Sequence, residues 1–518
     1  MTDEQQPDTG EHHVDVDADA ELLDAAAIAE GERLLEEFRQ RPADVLNRHV
    51  SKRDESGEPA SRSAFSDEQI RTGRHITGSD RYRQDHAAVH DGVIVSFSEV
   101  LPGRAAYEGN DRAENLVDEL AVTRLEDMHS RRLRAATLPE SPWSDDYWAI
   151  YLGVLGKRYA DPKFPASDDW AKNRAYVEDR PAPAIVASGD EDAIRRLSPS
   201  EKYDLLVGDP DGTLTTQMWE QGRGYYERDG EVETWMGICH GWAPAAYMLP
   251  RPRRYVDALA ADGKTTLRFY PADIKALASL LWANAPTVSR FIGGRTNDKD
   301  PPHDDNGRIT SAKAFDTNPG TWHLSIVNQI GIARRSFVID ATYDYEVWNQ
   351  PVYKYAYTYF NPATRRFTSR LDDARVPYGE FKAQDIFQRY RAEGVRSLVG
   401  VMMRMTYVVE TAPRPRETDG HDDDRRHTVK YMYDLELDRG GHIIGGEWYH
   451  NKHPDFLWTP PPGGHARAAP DAYAEGVWSG PRDPVPAAWK KAARYASRAN
   501  KPAPLGKIVE RLIDFANA

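Results

Sequence analysis

The chain contains a single thiol, Cys239, within Met236-Gly237-Ile238-Cys239-His240-Gly241-Trp242-Ala243. A thiol attacks a carbonyl as its thiolate, and an isolated cysteine near neutral pH mostly keeps its proton. Two devices assist it: the positive end of a helix, and an imidazole close enough to take the proton. The sequence around Cys239 points to the first. Gly237 and Gly241 permit tight backbone turns. Pro244 is tolerated where a helix has just begun, because the missing N–H is not needed in a first turn. The helix is therefore expected to start near Cys239. With one cysteine there is no intramolecular disulfide. The plain alternative for such a residue is a small buried hydrophobe.

The elements that must position this thiol follow from the patterning. Leu22, Leu23, Ala26, Ile28, Leu34, Leu35 and Phe38 predict an amphipathic helix from Ala20 to about Phe38, after an acidic stretch expected to be disordered. Residues 91–99 read as a strand and 111–136 as helical. Aromatic density rises at Pro142. Ser198 with Glu201 three residues on marks a helix start, and Pro271 opens a second helix that Pro286 ends. The texture then turns to strands. His323 opens HLSIVNQIG, Ser336 to Asp340 is a short apolar strand, and 398–411, 428–438 and 441–450 alternate as an antiparallel meander. Residues 414–427 are charged enough to predict a solvated hairpin loop. Gly440 and Gly441 form a tight turn. A terminal helix is expected around 505–517.

This order, helices carrying the thiol followed by strands carrying a His and an Asp, predicts an α+β fold. The boundaries are an acidic, largely flexible extension over 1–90, a helical lead-in over 91–140, a catalytic domain over 141–460, and a Pro/Gly/Ala-rich extension over 461–518. Hydrophobic residues make up 40% of the chain and charged residues 29%, which suits a globular protein with a sizeable core. The net charge of −15 opposes non-specific contact with nucleic acid or an anionic membrane. No apolar run is long enough to predict a membrane span. The N-terminus shows neither a basic n-region nor an apolar h-region, so the expectation is a cytoplasmic protein, with unconventional secretion as the alternative.

Several motifs share one resemblance. Cys239-His240-Gly241-Trp242-Ala243-Pro244-Ala245-Ala246, Asn318-Pro319 ahead of Trp322-His323, Glu346-Val347-Trp348-Asn349-Gln350-Pro351-Val352, Gly445-Gly446-Glu447-Trp448, and His453-Pro454-Asp455-Phe456-Leu457-Trp458 occur in that order. Together they resemble the transglutaminase elicitor family of oomycetes and marine bacteria, over roughly residues 140–460. The wider Cys-His-Asp superfamily has a similar nucleophile motif and an Asp-Ala-Thr strand, matched here by Asp340-Ala341-Thr342. The resemblance implies a papain/transglutaminase-like core. In it, helices carry the nucleophile and an antiparallel sheet carries His and Asp. Cys239, His323 and Asp340 would form the catalytic triad.

Rivals exist for two of these roles. His240 adjoins the thiol, but neighbours along a helix do not face each other. Asp344 competes with Asp340. The backbone N–H of Cys239 is the natural first oxyanion donor, and Trp235 and Trp322 are candidates for a second. Asn297, Asp298, Lys299, Asp300, Asp304 and Asp305 could attract calcium. They lack the pattern of an EF-hand, so a solvated loop is the better reading and no cofactor is expected. The implied function is protein-glutamine γ-glutamyltransfer through a thioester. Its substrates would be proteins with accessible Gln and Lys, or small primary amines. A thiol peptidase or deamidase with the same triad is the enzymatic alternative, and a recognition or scaffold protein the non-enzymatic one.

Overall fold

The computed structural model describes residues 25–47, 53–54, 111–294, 302–310, 317–341, 347–451 and 453–518. The acidic start, the expected strand at 91–99 and the residues Asn297 to Asp300 and Asp344 lie outside them. The principal strands are β1 (Arg290–Gly293), β2 (Val338–Asp340), β3 (Asn349–Phe360), β4 (Ser397–Val409), β5 (Arg425–Leu437), β6 (Ile443–Trp448) and β7 (Phe456–Thr459). All pair antiparallel, in the order β5-β4-β3-β2-β7-β1, with β6 on β5. The expected meander is therefore present. The fold mixes helices with a curled antiparallel sheet, as expected.

The long strand β3 organises the sheet. Its first three residues pair with β2, and the remainder pairs with β4. A bulge opposite Thr406 and Tyr407 leaves Val352 and Tyr355 on the same face, although they are an odd step of three positions apart. That face carries Val352, Tyr355, Tyr357, Tyr359, Met403, Met405, Tyr431 and Tyr433, all buried. The other face of the β2–β7–β1 end carries Val338, Trp458 and Phe291, which pack with Ala243.

Among the helices are α1 (Ala25–Gln40), α2 (Pro199–Val207), α3 (Cys239–Met248), α4 (Pro271–Asn284), α5 (Pro319–Ile326), α6 (Ala487–Ser497) and α7 (Gly506–Asn517), with others, such as Thr213–Asp229, between them. Ser198 caps α2 in the capping box foreseen, with Glu201 returning to the Ser198 N–H. Helices α2, α3, α4, α6 and α7 share one apolar core. The C-terminal stretch is thus built into that core. Asp471 accepts from the Gly506 and Lys507 amides at 3.0 and 2.9 Å and caps α7.

Four expectations are corrected. His323 does not open a strand: it lies in α5, which runs into a π-helical turn over Val327–Ile332. Asn318 accepts from the Gly320 N–H and Pro319 holds the first position, an N-terminal helix signal that outweighs the β-branched residues downstream. Residues 111–136 form only a 3-10 turn, Ala113–Asn115, and a short α-helix, Leu125–Ser130, joined by irregular and extended pieces. There, distant side chains take the backbone bonds: Asn328 accepts from the Val122 N–H, and Gln329 accepts from the Asp118 N–H. The 414–427 loop is not simply solvated, because Asp419 and Asp424 pair with Arg251 at 2.6 Å each and Asp419 also meets Lys275. Finally, α1 and the segment after it are docked. Phe38 stacks on Tyr449 at 4.5 Å, and Leu35 and Leu46 pack with Phe360, Phe387 and Met432.

That docking has a measurable consequence. Leu46→Ala, at a fully buried position, should cost about 2–5 kcal/mol and lower the midpoint of thermal unfolding. An unchanged midpoint would mean that this N-terminal segment does not pack as described.

Candidate active site

Cys239 is the first residue of α3, so its own N–H has no acceptor within the helix and sits at the positive end of the helix dipole. Pro244 falls beyond the first turn, where it removes one helical hydrogen bond. The approach to the cysteine is fixed by the Ile238 N–H, which donates to the Tyr147 carbonyl at 2.7 Å. Tyr147 in turn packs against Trp348, with ring centroids 5.4 Å apart.

The sulphur meets the start of β3. Its S–H faces the Val347 carbonyl at 3.7 Å, and the Asn349 Nδ2 donates to Sγ at 3.6 Å. The Asn349 amide is held from behind by the Trp458 indole N–H, which donates to Oδ1 at 2.8 Å. Asp340 is the register partner of Asn349 on β2, and its Oδ1 accepts from the Trp348 N–H at 3.0 Å. Cys239, Asp340 and Asn349 are therefore brought together on one sheet face.

His323 does not join them. Its Nδ1 and the Tyr433 hydroxyl share a hydrogen bond of 2.8 Å, and its ring meets Tyr357 edge-on at 4.7 Å. Tyr357 lies on the sheet face opposite Asn349 and eight positions further along β3, roughly 25 Å of strand. The sheet itself stands between the imidazole and the thiol, so the expected Cys–His–Asp contact is corrected to Cys239, Asp340 and Asn349. Burial alone holds the His323 ring down to about 3. It is therefore neutral, and its Nε2 has no hydrogen-bond partner among the described residues. His240 does not replace it: that ring is buried toward Ala283 and Lys501 and is pushed down to about 4, chiefly by desolvation.

The other candidates have separate employment. The Trp235 indole donates to Glu233, and Trp322 packs on the His323 side, edge-on to Tyr431. Asp304 accepts from Arg389 and Tyr390 at 2.9 Å each, and no metal-sized group of acidic, His or Cys side chains occurs among the described residues. Sequence reasoning missed Asn349 as a site residue, although it lies in a motif quoted above. Its signal is position: it opens the strand next to the Asp340 strand.

The resting thiol is neutral. Burial is the main force pushing it up to about 12; the Asn349 donors oppose this, and the negative charges of Glu410 and Asp340 add to it. Two pH effects follow. Iodoacetamide should label native Cys239 slowly at neutral pH, with a rate rising about tenfold per pH unit as the thiolate fraction grows. The neutral folded thiol also stabilises the fold in full below the ordinary value of 9.0, and that contribution is lost as pH rises from 9 toward 12. Cys239→Ala should remove this alkaline loss. Fast, pH-independent labelling at neutral pH, measured by mass spectrometry, would contradict the buried neutral thiol.

The family comparison agrees with the motifs. No curated protein matches the sequence. The chain resembles the crystal structure of the GP42 transglutaminase from Phytophthora sojae at 22% identity and a TM-score of 0.44, over 65% of this chain and 86% of that one. The profile described as transglutaminase elicitor matches residues 115–472, starting before and ending after the span suggested by the motifs. That span is well over half of the chain, and the protein belongs to the transglutaminase elicitor family.

Proposed function

We propose that this protein is a thiol acyltransferase that opens the side-chain carboxamide of protein glutamines and passes the acyl group to a lysine or small primary amine. One observation carries the reading: a thiol at a helix N-terminus has an amide donor on its sulphur and a carboxylate on the adjacent ladder position. Membership of the family supports the same chemistry. In the first step the Cys239 sulphur bonds to the carboxamide carbon, and the C–N bond breaks. The thiol proton passes through Asp340 to the leaving nitrogen, which departs as ammonia. In the second step an amine nitrogen attacks the thioester, the S–C bond breaks, and the amine proton returns to sulphur. Water as acceptor gives deamidation instead.

His323 has no step in this scheme. Its neutral, enclosed ring and its bond to Tyr433 favour a packing role on the far face of the sheet. A second reading, a recognition protein without catalysis, is favoured by one observation: Cys239 is enclosed and its thiol is held neutral. The acyltransferase reading requires that substrate binding expose the sulphur.

Incorporation of a fluorescent primary amine into a glutamine-rich protein separates these. Cys239→Ala should abolish incorporation, and Asp340→Asn should lower turnover roughly 10²–10⁴-fold. His323→Gln should leave turnover little changed while costing about 1–3 kcal/mol of stability, since it removes the buried hydrogen bond between the imidazole and the Tyr433 hydroxyl. A dead but folded His323→Gln protein would place the imidazole in the chemistry after all. No incorporation by the native protein would favour the recognition reading.

A further inference from the structure

Asn349 has a chemical position that the expected triad does not use. An indole N–H only donates, so the Trp458 ring forces the Asn349 carbonyl oxygen toward itself and turns the amide NH₂ toward Cys239. The asparagine is thus aimed by a partner two strands away. Trp458 stands opposite Val338 in the β7–β2 ladder, and β2 pairs with β3 through Asp340 and Asn349. The backbone N–H of Asn349 also faces the sulphur. Asn349 is only 4% exposed, so its donors act in a dry environment where each is worth more than in water.

We propose that the Asn349 side chain donates to the anionic oxygen that forms at the Cys239 reaction centre, together with the Cys239 backbone N–H, and that Trp458 is the positioning residue for it. This rests on the acyltransferase reading above. As the S–C bond forms, the carbonyl π pair moves onto oxygen and the thiol proton leaves through the site carboxylate to the departing nitrogen. The new oxygen sits on the carbon that bonds to sulphur, two bonds away from it. A donor already 3.6 Å from Sγ, and an unsatisfied helix N–H on the cysteine itself, converge on the place it occupies. Before attack, the same two donors favour the thiolate over the thiol.

Asn349→Asp is the cleanest probe, because it keeps the shape and the acceptor for Trp458 while replacing the donor with a carboxylate. Asn349→Ala and Trp458→Phe serve as companions, each checked for folding by thermal unfolding. In amine incorporation, Asn349→Asp and Asn349→Ala should lose about 10²–10³-fold in kcat with little change in KM. Trp458→Phe should lose less, since its amide is released rather than removed. The pH profile of Cys239 alkylation should move to higher pH in both Asn349 variants, a readout that a purely structural asparagine would leave in place. If Cys239→Ala is dead and a folded Asn349→Ala keeps full kcat, the oxyanion role is overturned and the acyltransferase reading stands. If Cys239→Ala remains active, the reading itself falls. An unshifted alkylation profile in folded Asn349 variants would overturn the contact between Asn349 and the sulphur, whatever the activity.

Discussion

Everything at the thiol depends on how closely α3 approaches α4, and Gly241 sets that distance. A Cβ at this position would lie 2.1 Å from the Ser279 carbonyl oxygen and 2.6 Å from the Ala283 side chain and amide. With hydrogen in its place, α3 lies flat on the enclosed helix α4, and Ala243 on its other side reaches Val338 and Trp458. The cysteine, two positions before Gly241, is thereby pinned over the start of β3. Gly237 repeats the constraint just ahead of the helix, where a Cβ would stand 2.3 Å from the Tyr147 carbonyl that receives the Ile238 N–H. Two glycines thus fix both ends of the segment that presents the sulphur.

The second constraint is the sheet itself. Because residues alternate across a strand, the short strand β2 and the start of β3 divide their side chains between two chemistries. Asp340, Asn349 and Val338 face the thiol. Ile339 and Val352 face the aromatic layer where Trp322, Tyr355, Tyr357 and Tyr431 pack. His323 belongs to that second layer by virtue of α5, whose N-terminal Gly320 lies so close to Gly445 of β6 that a Cβ there would stand 2.9 Å from its Cα and carbonyl oxygen. The imidazole is held by tyrosines, not by a carboxylate, and its enclosure keeps it neutral. The sulphur, by contrast, is enclosed among amide, carbonyl and carboxylate groups. Nothing in that set takes a proton as readily as an imidazole does. Burial in that set, with the negative charges of Glu410 and Asp340 added, is why the resting protein holds a thiol and not a thiolate.

Much of this architecture was legible in the sequence, and the exceptions have physical reasons. The start of α3 at Cys239, the Ser198 cap, the helix from Pro271 and the strand ending at Asp340 were all marked by local signals: glycine, capping side chains and short apolar runs. The helix carrying His323 was also marked, by Asn318-Pro319 and by Trp322, Ile326 and Ile330 at four-residue spacing, but the β-branched character of the run masked it. Helix α6 was hidden in a Pro/Gly/Ala-rich tail, although Trp489, Ala492, Ala493 and Ala496 carry a helical period. Asn349 was illegible for a different reason. Its role arises from side-chain contacts with Cys239 and Trp458, each more than a hundred positions away in sequence, and no local pattern encodes those.

The account centres on Cys239 as the atom that carries the acyl group. Its most direct test is intact-mass analysis of the native chain, quenched in acid after incubation with a glutamine-containing peptide in the absence of amine. The expected result is one adduct, equal to the peptide mass less ammonia, mapped to Cys239 and released by hydroxylamine. An adduct on any other residue, or none under conditions where amine incorporation proceeds, would contradict it.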